Sequence, residues 1–165
     1  MSGRDTTTGV PVHLNRLWLD ADLRITTGFV EPHFFAGFSG GPKMVAPGLA
    51  GLQTTLTLHD ARRIGHPMAA WGITVGNPIH DDVREIARTT GVHFALDVTL
   101  NRAQQITAVF AGELFAEHRA ACAAASAHLT EAPTSSIGSR CAARISLSVR
   151  PPLFTSTRAF ICTCA

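Results

Sequence analysis

The sequence predicts an α/β domain in which a sheet is flanked by helices and includes an antiparallel hairpin. Residues 23–27 alternate and are rich in β-branched side chains up to Gly28, which is typical of a strand. Residues 81–90 place apolar side chains at helical spacing. Two further strands, 92–100 and 105–111, are joined by a short link, which favours antiparallel pairing.

The remaining elements are helices. Residues 14–22 have helical spacing and predict a short helix. Residues 49–64 predict a longer one, with Arg62 and Arg63 near its end as cations that suit the helix dipole. An alanine-rich helix follows the hairpin and reaches about His128.

Composition limits the function classes. The chain has 165 residues, 45% hydrophobic and 16% charged, which fits one ordinary globular domain. A net charge of +2 gives no electrostatic case for nucleic acid, and no apolar run is long enough for a membrane span. The N-terminus does not read as a secretion signal. The four cysteines form no Cys-x-x-Cys pair, so we expect a reducing, cytoplasmic setting.

Lys43 is the lone lysine among fourteen lysine and arginine residues. Lysine, unlike arginine, can lose its proton and act as a nucleophile or covalent anchor. It ends a glycine- and proline-rich stretch, residues 28–48, which predicts a long loop of the kind that usually carries function. The plain alternative is a surface lysine in a mobile loop.

Two histidines accompany this lysine. His33 lies at the mouth of the loop after a strand, and His59 lies on the helix that follows. Histidine is the side chain best suited to act as acid, base or metal ligand near neutral pH. For each residue alone, a structural or capping histidine is the alternative.

The loop also contains Ser39, Gly40 and Gly41, whose backbone N–H groups could approach an anion closely. The Walker A pattern is absent. Other polar residues receive structural interpretations: His66 and His80 at a loop and a helix start, Asp97 on the hairpin strand, and His118 and His128 on a solvated helix face.

The run of residues 28–43 resembles the signature of the nickel-pincer lactate racemase family. Residues 47–51, His59, 76–78 and 109–113 are similar to that family as well, so the resemblance covers residues 9 to about 130. It implies that this is part of a larger two-domain enzyme.

The resemblance also implies roles. Lys43 would tether the nickel-pincer nucleotide, pyridinium-3-thioamide-5-thiocarboxylic acid mononucleotide, with Ser39, Gly40 and Gly41 beside it. His59 would complete the nickel coordination, and His33 would be one of two catalytic histidines. The implied reaction racemises a small 2-hydroxy acid of the lactate type through a 2-keto acid, after cofactor-maturation proteins have loaded the cofactor.

The chain departs from the family pattern at both ends. The second catalytic histidine and the substrate-binding pair precede the matched region in the family. We therefore expect residues 1–130 to be a partial cofactor-binding domain that is inactive alone. Residues 131–165 lack the family's pattern and are interpreted as a disordered tail or the product of a frameshift.

Two other interpretations stay open. The glycine-rich loop could belong to a non-catalytic module that binds phosphate or another anion. The chain could also be a truncated remnant without function.

Overall fold

The computed structural model describes residues 5–129 and 159–163, and it confirms the predicted α/β class. A 3-10 helix spans Gly41–Met44. In chain order the other elements are α1 (Arg16–Leu19), β1 (Leu23–Phe29), β2 (Pro32–His33), β3 (Gly37–Phe38), α2 (Leu52–Leu58), α3 (Ala61–Ile64), α4 (Pro78–Thr90), β4 (Phe94–Leu100), β5 (Ile106–Gly112), α5 (Leu114–Leu129) and β6 (Ala159–Thr163).

The main sheet has the strand order β5-β4-β1-β6. Strand β1 runs parallel to both β4 and β6, whereas β4 and β5 form the predicted antiparallel hairpin. The predicted strand end at Gly28 is wrong, because β1 continues to Phe29. Gly28 pairs with Asp97 there, and a Cβ on Gly28 would lie 3.1 Å from Asp97 Oδ1. The glycine therefore marks a close approach inside the strand.

The predicted helix over residues 49–64 is two helices, α2 and α3. His59 ends α2, and Asp60 begins α3 as its N-cap, where its side chain accepts a hydrogen bond from Arg63 N. A capping aspartate satisfies an otherwise unpaired N–H of a new helix, and this favours a break over continuation. Because of this break, His59 is an exposed residue at the C-terminal end of α2.

Arg63 has a structural role beyond its predicted place at a helix end. It is only 5% exposed and forms ion pairs with Asp60 at 2.6 Å and with Asp82 of α4 at 2.9 Å. Asp82 is itself 1% exposed. This arginine lies in the last turn of its helix, as predicted, and it is also a buried link between α3 and α4.

The main core packs the N-terminal segment and the loop after β3 against α4. Its fully buried members include Val10, Trp18, Val45, Leu58 and Ile86. A second, smaller cluster joins α5 to the start of the loop and contains Val30, Phe38, Ala121, Cys122 and Ala125. Helix α5 thus lies against the back of the glycine-rich loop.

The interpretation of residues 131–165 as a disordered or frameshifted tail falls largely outside the described residues. Of this segment the structure describes β6, whose backbone pairs with β1. Among the residues that the structure describes, no helix has both the length and the apolar character that a membrane crossing requires.

Candidate functional site

The loop that carries the candidate residues begins with a small hairpin of β2 and β3. Pro32 pairs with Phe38, and His33 pairs with Gly37. Gly37 has a φ of +81°, and a Cβ there would lie 2.2 Å from the carbonyl oxygen of Ile73. Only glycine fits this position, so the hairpin fixes where the backbone of His33 lies.

The 3-10 helix that follows presents Lys43. Gly40 and Gly41 precede it with φ values of +70° and +49°. A Cβ on Gly41 would lie 2.3 Å from the His118 ring, and one on Gly40 would lie 2.9 Å from Asp97 Oδ2. These glycines allow the loop to press against α5 and β4, and they do not open towards solvent.

The backbone N–H groups of this segment are mostly used within the protein. Gly41 N donates to Asp97 Oδ2 at 2.6 Å, Ser39 N donates to Glu31 O at 2.9 Å, and Lys43 N donates to Gly40 O at 3.1 Å. The carboxylate of Asp97 thus occupies the place that an external anion would take at Gly41. Contact of Ser39, Gly40 and Gly41 with a cofactor stays a prediction, and their observed contacts shape the loop.

His33 is half-buried beside this turn. Its Nδ1 accepts hydrogen bonds from Ala36 N at 3.2 Å and from Phe35 N at 3.5 Å. In the neutral ring the proton is therefore on Nε2, which is a donor. Burial lowers the pKa of His33 to about 4, with further lowering from the charge of Lys43 and from His59 when that ring is protonated. At neutral pH the ring is uncharged.

His59 has the opposite tautomer. Its Nδ1 lies 2.7 Å from the carbonyl oxygen of Thr55, so this nitrogen carries the proton and donates it. The Nε2 lone pair is then available on an exposed side chain. A backbone carbonyl that fixes the tautomer in this way is the usual support of a metal-ligating histidine.

Phe35 lies between the two histidines. Its ring is edge-on to His33 with centroids 4.5 Å apart and edge-on to His59 with centroids 5.2 Å apart. Phe34 stacks on His33 at 4.8 Å and is 65% exposed. The arrangement brings the two predicted histidines to one apolar, aromatic surface.

Lys43 is half-buried, and its positive charge acts on His33. Besides its effect on His33, its charge acts on Glu31, His80 and His118. Burial is the largest cause of each of these shifts: it raises the pKa of Glu31 and lowers that of each histidine to about 4. His33 is therefore related to both other candidates: the charge of Lys43 acts on it, and His59 contacts the same Phe35 ring as it does.

The sequence interpretation missed a buried polar group behind Lys43. His118, predicted to be solvated, is 4% exposed, and its Nε2 lies 2.9 Å from Ser39 O. His80 is also 4% exposed, and its ring stacks on His118 with centroids 6.0 Å apart. The small residues Ala121 and Ala125 let α5 approach closely, and their helical spacing was the available signal for a buried face.

The described residues contain no cluster of three or more histidine, cysteine or acidic side chains that could hold a metal ion. A site supplied by one histidine and a bound cofactor would not need such a cluster. A groove of about 620 Å³ lies elsewhere, between α4 and the segment before it, and is lined by Thr74, Asp81, Arg84 and Arg88 among others. None of the candidate residues lines it, so the groove does not define the site.

Comparisons with known proteins agree with the resemblance. Residues 3–72 match the family described as Lactate racemase N-terminal domain. The chain is 40% identical over 114 residues to a lactate racemase of Thermoanaerobacterium thermosaccharolyticum, and 41% identical over 109 residues to one of Lactiplantibacillus plantarum. These matches cover 69% and 66% of this chain but 27% and 26% of the relatives, so the chain spans about a quarter of their length.

Two solved structures are also similar. The lactate racemase apoprotein from Thermoanaerobacterium thermosaccharolyticum matches with a TM-score of 0.72 and 37% identity, over 73% of this chain and 29% of that one. A protein from Thermotoga maritima matches with a TM-score of 0.57 and 26% identity, over 72% and 31% of the two chains. The resemblance and the fold class are thereby confirmed.

Proposed function

Because residues 3–72 match the Lactate racemase N-terminal domain family, we propose that this chain is the cofactor-bearing part of a 2-hydroxy acid racemase. Lys43 would tether a nickel-pincer nucleotide, and His59 would ligate its nickel. The observation that supports this most is that the charges of Lys43 and His59 both act on His33, while His59 is exposed and its Nδ1 is held by Thr55 O.

The donor chemistry of these residues fits the cofactor. Lys43 supplies a primary amine on a loop that is hydrogen-bonded to the buried residues Asp97 and His118. Such an amine is a suitable covalent attachment point. A neutral imidazole with its Nδ1 proton fixed on Thr55 O is a suitable nickel ligand. When bound, the cofactor supplies an acceptor for the hydride on C2, so that the substrate passes through a planar 2-keto acid and can regain hydride on either face.

His33 would accept the hydroxyl proton of the substrate and later return it. In the observed conformation its Nε2–H is a donor that can hold a substrate oxygen, because Nδ1 accepts from Ala36 N. Acting as a base requires the ring to release this bond and expose a lone pair. The substrate would therefore bind to a donating His33 first, and proton transfer would follow a small change in ring position.

A complete racemase needs a base or acid on each face of the substrate. The second catalytic histidine that the resemblance implies has no counterpart in the matched region. We therefore propose that this chain accepts the cofactor but does not turn over a 2-hydroxy acid by itself, and that it works in the reducing cytoplasm with cofactor-maturation proteins as partners.

Co-expression of the chain with the cofactor-maturation proteins tests the proposal. We expect intact mass spectrometry to show one covalent cofactor adduct, mapped to the peptide that contains Lys43. We also expect no racemisation of an enantiopure 2-hydroxy acid by the purified chain. Phosphate binding without an adduct would instead support the anion-binding module, and aggregation without either would support the remnant.

The structure gives the anion-binding module little support. Its key amide, Gly41 N–H, already donates to the buried carboxylate of Asp97. An external phosphate would have to displace that carboxylate from a position that is 0% exposed. Desolvated pairs of this kind are costly to break.

A further inference from the structure

We propose that Asp97, Glu117 and His118 form a positioning group that holds residues 39–43 so that the Lys43 amine is presented for cofactor attachment. The inference rests on the proposed function, because it concerns how the attachment residue is placed. None of the three residues lies in the glycine-rich loop itself. They reach it from β4 and α5, on the side opposite to solvent.

Asp97 supplies the first anchor. It lies in the middle of β4, is 0% exposed, and accepts the N–H of Gly41 through Oδ2 at 2.6 Å. The same carboxylate lies against Gly28 and Gly40, where a Cβ would come within 3.1 and 2.9 Å of its oxygens. The loop and β1 therefore both pack against the Asp97 carboxylate. The loop residue that it binds, Gly41, lies two positions before Lys43.

His118 supplies the second anchor. Its Nε2 donates to Ser39 O at 2.9 Å, and its ring fills the space that a side chain on Gly41 would need. One anchor thus holds a carbonyl before Gly40, and the other holds an N–H after it. Two fixed points on either side of a glycine with positive φ leave the 3-10 helix little freedom.

Glu117 supports the first anchor. It is 5% exposed, and burial raises its pKa to about 8, with a further increase from the neighbouring Asp97 carboxylate. The two carboxyl groups act on each other's pKa, and both Glu117 oxygens and Asp97 Oδ1 are buried without a partner of full hydrogen-bond geometry. Burial also raises the pKa of Asp97. A protonated Glu117 can donate to Asp97 and leave the other Asp97 oxygen to accept from Gly41 N–H.

The composition of this group argues for a positioning role. Buried carboxyl groups without complete partners destabilise a fold, and apolar side chains of similar shape would pack the same space at lower cost. What apolar residues cannot do is hold a particular N–H and a particular carbonyl. The group therefore gives the loop one conformation at some expense of stability.

The test uses variants of matched shape at position 97 in the full chain. Asp97→Leu removes the acceptor for Gly41 N–H, whereas Asp97→Asn keeps an oxygen acceptor in a side chain of similar size. Each variant is co-expressed with the cofactor-maturation proteins, and the fraction carrying the adduct is measured by intact mass. Hydrogen exchange of the peptide containing residues 39–44 supplies a reading that does not depend on the cofactor.

We expect adduct occupancy to fall about tenfold in Asp97→Leu and to stay within about twofold of wild type in Asp97→Asn, as expected when one buried donor loses its acceptor. Exchange should accelerate in residues 39–44 of the Leu variant while β4 and α5 keep their protection. Asp81→Asn, an exposed aspartate on α4, is the control and should match wild type. Glu117→Gln should also match it, because the amide can donate to Asp97.

Equal occupancy in the wild type and in folded Asp97→Leu would overturn the inference while leaving the proposed function intact. An adduct missing from the wild type as well would overturn the proposed function, and the inference with it. If Asp97→Leu does not fold, adduct occupancy is measured instead in His118→Leu, which removes the donor to Ser39 O, and in His118→Gln, which keeps one. Loss of the adduct in His118→Leu with its retention in His118→Gln supports the positioning role. Equal adduct occupancy in the two variants overturns it.

Discussion

Replacing Lys43 with arginine is expected to abolish the covalent adduct completely. Arginine keeps the positive charge and nearly the same length, but its guanidinium stays protonated at neutral pH and cannot serve as a nucleophilic amine. The comparison therefore separates attachment from electrostatics. Intact mass of the co-expressed variant should equal that of the bare chain.

The scarcity of lysine in this chain provides a matched control. The double variant Lys43→Arg with Arg62→Lys keeps one lysine but moves it to an exposed position on α3. We expect no adduct on it, because the proposed attachment requires an amine at position 43. An adduct on the single variant would mean that Lys43 is not the tether, and an adduct on the new lysine of the double variant would mean that attachment does not depend on position 43.

The largest effect on stability is expected from Arg63→Ala. This change leaves Asp82, which is 1% exposed, as a buried carboxylate without its ionic partner. Breaking one side of a buried pair costs about 3–5 kcal/mol, which is a large share of the stability of an ordinary domain. Urea unfolding should show a much lower midpoint, or the variant should fail to fold.

Two further variants check the cause. Arg62→Ala changes the exposed neighbour and should shift the free energy of unfolding by no more than about 0.5 kcal/mol. The double variant Arg63→Met with Asp82→Leu removes both charges and should recover much of the lost stability. Equal effects of Arg62→Ala and Arg63→Ala would contradict the assignment of Arg63 as the buried link between α3 and α4.

The regular elements could be predicted because their signals are local. The alternation in β1, and the short link between β4 and β5, depend on neighbouring residues alone, and the structure confirms the elements and the hairpin. The break between α2 and α3 was also local, since Asp60 is a capping residue. The apolar residues on both sides of Asp60 have helical spacing, and they therefore predicted one continuous helix.

The anchors behind the loop could not be found in this way. Asp97 and Gly41 are 56 positions apart in sequence, and His118 and Ser39 are 79 apart. No local period relates them, so their roles depend on how α5 and β4 meet the loop. The role of Gly28 could not be predicted for the same reason. In the sequence it indicates the end of a strand, whereas in the structure it is a point of close contact with Asp97.

The candidate site was recognisable for a different reason. Lys43 stood out because the composition is otherwise free of lysine, and the neighbouring histidines completed a reactive set. The sequence did not indicate that His33 and His59 have opposite tautomers, because the carbonyl of Thr55 and the N–H of Ala36 decide them. Those backbone contacts exist only in the folded chain.

The central claim, that Lys43 and His59 serve one cofactor, is tested most directly by X-ray absorption at the nickel edge. The spectrum of the adduct-bearing wild-type chain is compared with that of adduct-bearing His59→Ala. We expect scattering from one imidazole in the wild type and its loss in the variant, with the mass of the Lys43 adduct unchanged. Identical nickel spectra for the two chains would contradict the account, since the metal would then lie out of reach of His59.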